Sequence, residues 1–311
     1  MYSIRHFIVA IMLTMLGSSI FAQCTNQFPQ NDIIFQAEMH YRFSEAKTHP
    51  YIEVLIQGQA KRFLLDTGAN IHTTWDTAFL PVVGSKTRQT EAIHSTQEEV
   101  ITELVIADSR GRSFKQEVCY MKHWGPKFSE RGINGVLSPQ RLANNYPFLI
   151  DFQQGCFTVL RQIDLAQFHD YQIYRGRIHP NPYQVMMIPI DLGDKEVRMT
   201  IDSGAKRTSI VAQAIQHFPL NHQRLPESST DLFGKSAEKM EPFRVVDFVI
   251  NGIPFKQYSV RENSKRIDAG EFIILGRVGM DVIKDFIILA DFSQNTFHLL
   301  QKNTKNSFSS L

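Results

Sequence analysis

The chain has 311 residues and a mass of 35.7 kDa, with 43% hydrophobic and 21% charged side chains, which excludes a disordered, fibrous or collagen-like protein. A formal charge of +2 at pH 7 gives no broad basic field for nucleic acid or acidic lipid, and a cluster such as Arg110-Gly111-Arg112 reads as a solvated loop. Among the eleven histidines, His72, His94, His123 and His217 lack paired ligand spacing, so no metal is expected.

In chain order, Arg5 and His6 precede an apolar run from Phe7 to Leu16, followed by Gly17-Ser18-Ser19 and Ile20-Phe21-Ala22. These are the basic, apolar and small-residue regions of a secretory signal peptide over residues 1–22. No later stretch reaches the roughly 18 to 20 apolar residues that span a bilayer. The expectation is a secreted or periplasmic protein with no membrane association after cleavage. Cys24, Cys119 and Cys156 allow at most one intramolecular disulfide, and the pair is not chosen by the sequence.

A first half is expected over residues 23–165. Ile33-Ile34-Phe35 reads as a strand; Tyr51 to Ile56, a turn at Gln57-Gly58-Gln59, and Phe63-Leu64-Leu65 read as a hairpin running into Asp66. Gly132 to Leu137, a short helix from Pro139 to Asn144, and Phe148 to Phe152 follow. Residues 166–182 are polar, end in His179-Pro180-Asn181-Pro182, and read as a connector. The second half, 183–311, repeats the order: Val185 to Ile190, a turn at Gly193-Asp194, Val197 to Ile201 running into Asp202, Phe272 to Gly276, a short helix near Met280 to Lys284, and Phe286 to Phe292. Asp151-Phe152, Gln154, Phe157 and Leu160 recur as Asp291-Phe292, Gln294, Phe297 and Leu300, each 140 positions later. The class is mainly β, in two similar lobes, and apolar residues at consecutive positions before each aspartate place it at the end of a strand covered on both faces.

Asp66-Thr67-Gly68-Ala69 and Asp202-Ser203-Gly204-Ala205 are the strongest signals. One Asp-Thr/Ser-Gly triplet occurs by chance in roughly one chain in ten of this length, and either alone reads as a β-turn. Two copies inside matching strands present two carboxylates to one shared site. Asp151 and Asp291 are duplicated as well, and read as turn-bonding groups. Gly132 with Gly135, and Gly276 with Gly279, lack the Lys-Ser/Thr of a nucleotide loop, and Trp75 and Trp124, the only tryptophans, make no sugar platform for a glycosidase.

With these residues the chain resembles the aspartic peptidases of the pepsin and retropepsin group, as a single-chain, two-lobed bacterial type. The resemblance implies two acid-protease-like β lobes, 23–165 and 183–311, with a cleft between them. It assigns Asp66 and Asp202 as catalytic residues and Thr67, Gly68, Ser203 and Gly204 as their support, with hydroxyls bonding across the lobes. Ile274-Leu275-Gly276 matches the family's later apolar-apolar-Gly segment; in the first half Ile133-Asn134-Gly135 stands in its place, with Asn134 where the pattern is apolar. Flap hairpins are expected in Arg88 to Val100 and in Ser228 to Lys239. Ala69 and Ala205 are retroviral in type and lack the hydroxyl that stabilises a charged carboxylate, which predicts activity at less acidic pH than a stomach pepsin.

The implied activity is hydrolysis of peptide bonds by water activated between Asp66 and Asp202, one carboxylate taking a proton and the other giving one, with no cofactor. The partner is a peptide or protein substrate, and a monomer suffices. No long inhibitory prosegment is expected ahead of the first hairpin. Two other readings compete: a peptide-binding module of the same fold with weak or no turnover, motivated by Asn134, and a structural protein of the cell envelope.

Overall fold

The computed structural model describes residues 24, 28–44, 46–79, 86–92, 95–121, 129–224, 240–263, 267–269 and 272–303. The signal-peptide segment, the second expected flap, His94, His123 and Trp124 lie outside them. Strands dominate the described residues, and the helices are single turns such as Pro139–Leu142 and Met280–Ile283. No helix among the described residues is long and apolar enough to cross a membrane.

Each half curls six strands into a barrel-like sheet with the same strand order. In the first half the order is Thr48–Ile56, Gln59–Leu65, Ile133–Leu137, His72–Thr74, Ser113–Tyr120 and Ser95–Ala107, closed where Leu55 pairs with Ala107. In the second it is Met187–Leu192, Lys195–Ile201, Gly276–Val278, Ser209–Val211, Ile253–Asn263 and Met240–Ile250, closed where Leu192 pairs with Phe248. The first hairpin turns through Gln57 and Gly58 at φ 52° and 78°, and Asn251-Gly252 does the same at 49° and 84°. Positive φ at both positions is the primed turn that matches strand twist. Lys86–Ala92 and Ser95–Ala107 form a hairpin across the span expected for the first flap.

In each barrel the strand leading to the aspartate runs parallel to a later strand containing a glycine, and a third strand crosses antiparallel on the far side. Gly135 and Gly276 sit at these crossings, where a Cβ would run into the carbonyl oxygens of Thr73 and Ser209. Backbone approach this close admits only glycine.

The two halves share a six-stranded antiparallel sheet, ordered Tyr171–Arg177, Thr296–Lys302, Ile287–Asp291, Phe148–Asp151, Cys156–Leu160 and Ile33–Phe43. Leu149 pairs with Leu289, its own equivalent 140 positions on, so the approximate twofold passes through that pair. Phe35, Phe148, Phe152, Phe157 and Phe297 are fully buried about it, each worth about 1.5–3 kcal/mol of burial. The segment read as a connector contains one of these strands. Tyr171–Arg177 pairs with Thr296–Lys302 at the sheet edge, Ile173 opposite Leu300 as Ile33 is opposite Leu160. Its side chains are half-buried or exposed, so it lacks the apolar run of a covered strand. A disulfide joins Cys24 to Cys156, and Cys119 is buried outside it. Asp151 Oδ1 accepts from the backbone of Gln153 and Gln154, and Asp291 Oδ1 from that of Ser293 and Gln294, so both are turn-bonding groups.

His72 is buried in the first crossing, where Nδ1 accepts from Ser138 N at 3.1 Å and Nε2 faces Gln116 Oε1 at 3.3 Å. In the second half Thr208 Oγ1 takes the same place, accepting from Gly279 N at 3.1 Å. Burial pushes the His72 imidazole down to about 4, and does the same to His49. Between about 4 and the ordinary value of 6.5 the unfolded chain binds more protons, so stability falls as pH falls through that window. Replacing His72 by Thr, the second half's solution, should flatten the decline of Tm from pH 6.5 to 4 by about one proton's contribution, whatever its cost at neutral pH. Unchanged steepness in thermal melts across this range would refute the assignment.

Candidate active site

The apolar ends of two strands deliver the two aspartates. Phe63, Leu64 and Leu65 are buried before Asp66, as are Met199, Thr200 and Ile201 before Asp202. Each turn is then tied to its crossing strand in the same way: Asp66 N donates to Leu137 O and Asp202 N to Val278 O, both at 3.0 Å. Ala69 N and Ala205 N close the turns on Asp66 O and Asp202 O, both at 3.2 Å.

The turns are also locked to each other. Thr67 N donates to Ser203 Oγ at 3.0 Å and Ser203 N to Thr67 Oγ1 at 2.9 Å. Each hydroxyl passes its own proton across: Thr67 Oγ1 donates to Ile201 O at 2.8 Å, and Ser203 Oγ to Leu65 O at 2.7 Å. Both side chains are fully buried, so breaking one bond strands its partner without water. The glycines admit the facing carboxylate. A Cβ on Gly68 would lie 2.7 Å from Asp202 Cγ, and one on Gly204 would lie 2.5 Å from Asp66 Oδ2.

The Asp66 and Asp202 carboxyls face each other across the two turns, each lying against the glycine of the opposite one, and the nearness of Asp202 favours the protonated form of Asp66. Their surroundings differ. Burial, and after it the charge of Asp202, push the Asp66 carboxyl up to about 7, against the Gly68 N–H at 2.8 Å from Asp66 Oδ1 and the more distant charge of Arg277. Asp202 Oδ2 accepts from Arg277 Nη1 at 3.1 Å. Thr200 pairs with Arg277 where Leu64 pairs with Val136, so the repeat places a guanidinium beside Asp202 at the register position where the first half has Val136. Val136 is buried with Leu64, Trp75 and Ile133. Burial and the neighbouring carboxylate favour the neutral form at Asp66, while Asp202 has a guanidinium donor of its own.

The six residues expected at the site, Asp66, Thr67, Gly68, Asp202, Ser203 and Gly204, all converge here. Asn134 is accommodated: its Oδ1 accepts from Arg62 N at 3.0 Å and its Nδ2 donates to Asp76 Oδ2 at 2.9 Å. Its carbonyl accepts from Thr74 Oγ1 at 2.8 Å, so the departure from an apolar residue leaves the crossing intact. Arg277, His49 and Lys206 were not singled out by sequence. Arg277 follows Gly276 directly, and the signal for it is a charge at a register position where the first half has Val136. The charges of Asp202, Lys206 and Arg42 all act on His49. Among the described residues no group of three or more His, Cys, Asp or Glu side chains is placed to hold a metal. No protein-family model matches the chain, and no curated protein matches it.

A carboxyl whose folded value lies above its ordinary 3.8 binds more protons folded than unfolded, so Asp66 lowers stability as pH rises through about 4 to 7. Asp66→Asn should therefore be the more stable protein at pH 8, by about 1–3 kcal/mol, with the difference closing below about pH 5. Denaturant melts at the two pH values test this, and a variant less stable than wild type at pH 8 would contradict it.

Proposed function

We propose that this chain is an aspartic endopeptidase that hydrolyses peptide bonds in a cleft between two acid-protease-like lobes. What carries the proposal is the facing pair of Asp66 and Asp202, each against the opposite turn's glycine and delivered by duplicated turns that bond each other through Thr67 and Ser203. In this reading water lies between the carboxyls. Asp202 takes its proton as the oxygen attacks the scissile carbonyl carbon, while Asp66 gives its proton to the carbonyl oxygen. The gem-diol then collapses: Asp202 returns the proton to the amide nitrogen, Asp66 recovers one from a hydroxyl, and the C–N bond breaks. Two close carboxylates sharing a proton do this in aspartic proteases generally, and the titration belongs to the pair.

The reading places the protein outside the cytoplasm, secreted or periplasmic, which its signal-like N-terminus and the Cys24–Cys156 disulfide support. It needs no cofactor and acts as a monomer on a peptide or protein.

Two measurements test it. Asp66→Asn and Asp202→Asn should each lower kcat by about 10³-fold or more while thermal melts show a folded protein, and a statine-type inhibitor should block the wild type. Substantial turnover in either variant would defeat the shared-proton assignment; binding of the inhibitor without any cutting from pH 3 to 7 would favour the non-catalytic module. The alkaline limb of the pH profile should report Asp66, near 7. Because the Arg277 charge pulls that carboxyl down, Arg277→Gln should move the limb upward by about 0.5–1 pH unit. A downward move would mean that the two aspartates exchange roles.

A further inference from the structure

Four residues beyond Asp202 the chain enters a pocket of about 390 Å³ that the peptidase chemistry does not use. Thr48 lines it from the first half, and Lys206, Arg207, Tyr258, Asp281 and Lys284 from the second. Three cations therefore face a single carboxylate. That carboxylate is already committed, since Asp281 Oδ1 accepts from Thr208 N and Thr208 Oγ1, both at 2.8 Å. Arg207 lies over the Phe243 ring at 5.3 Å, and none of the three cations joins a salt bridge among the described residues. The buried Thr48 Oγ1 at the pocket wall has no hydrogen-bond partner among the described residues.

The pocket lies close to the dyad. His49 follows Thr48 and lies within electrostatic reach of both Asp202 and Lys206, so one segment of the first half borders both places. Three cations against one carboxylate leave an excess of positive charge, and an anion entering among them offsets it. Lys206, four residues beyond Asp202, joins the two places from the side of the second half.

We propose that the pocket is a subsite for an acidic side chain, Asp or Glu, of the peptide substrate, held by Lys206, Arg207 and Lys284 a short way along the chain from the bond presented to Asp66 and Asp202. This rests on the peptidase reading, and names the substrate class that reading leaves open.

The test uses peptides identical except for Glu or Gln, scanned through each position on both sides of the cleaved bond. In the wild type, Glu at one position should raise kcat/KM about five- to tenfold over Gln, as about 1 kcal/mol of partly screened ion pairing gives. The ratio should fall toward one as salt rises. Lys206→Glu combined with Lys284→Glu should invert the preference, favouring Lys over Glu at that position. The same Glu and Gln peptides, fluorescently labelled, are also titrated against Asp66→Asn by anisotropy. Cleavage with no Glu preference at any position overturns the subsite and leaves the peptidase standing. Salt-sensitive binding of the Glu peptide that depends on Lys206, with no cleavage by the wild type, supports the pocket and removes the peptidase. Neither cleavage nor selective binding removes both.

Discussion

The reciprocal bonds between Thr67 and Ser203 are the constraint on which the site depends. Each hydroxyl accepts from the opposite turn's backbone and donates to a carbonyl of the opposite strand, so neither turn can move without breaking bonds in both halves. The glycines that follow leave room for the facing carboxylate. Two acidic side chains are forced together that would repel each other if both were ionised, and one keeps its proton. The shared sheet sets the same relation on a larger scale, because Leu149 opposite Leu289 fixes the register of one half against the other. A slip of one residue there would turn buried side chains outward.

Onto this near-symmetric frame the chain lays a charge asymmetry. Both strands that cross behind the turns carry the same glycine and the same backbone bond to the aspartate. The side chain one residue beyond that glycine differs in charge, Val136 in one half and Arg277 in the other. An apolar wall raises the cost of ionising the carboxyl beside it, and a guanidinium at hydrogen-bond distance lowers it. A duplicated scaffold supplies similar geometry, and a single charge at an equivalent position then gives the two carboxyls different neighbours. Nothing else in the two turns distinguishes them as strongly.

Much of this was readable from sequence because it rests on short-range rules. The hairpin turns announce themselves in Gln57-Gly58 and Gly193-Asp194, the buried strands in Phe63-Leu64-Leu65, and the duplication in the recurrence of Asp151-Phe152 at Asp291-Phe292. What escaped was set by register between distant segments. Tyr171–Arg177 looked like a linker because an edge strand with polar side chains has no apolar run, and only its pairing with Thr296–Lys302 gives it a place. The disulfide could not be chosen among three cysteines, since proximity of Cys24 to Cys156 comes from Ile33–Phe43 lying beside Cys156–Leu160. Arg277 was passed over for the same reason: its side chain becomes informative only when Gly276–Val278 is laid against Lys195–Ile201.

The buried groups that build the site also make opposite demands on acidity. Asp66 is held where its neutral form is favoured, and the folded chain therefore loses stability as pH rises toward about 7. His72, which braces the strand crossing behind it through Ser138, is held neutral too, but for a base that means stability is lost as pH falls toward about 4. The two windows overlap between about 4 and 6.5, so across that range the losses at the two groups run in opposite directions and largely cancel. Above about 7 the Asp66 carboxyl gives up its proton, and toward about 4 protonation of His72 works against the bond it accepts from Ser138. The second half, with Thr208 in place of the imidazole, has no such acid limit at its crossing. The acid limit on the stability of this crossing is therefore set by the buried imidazole of the first half.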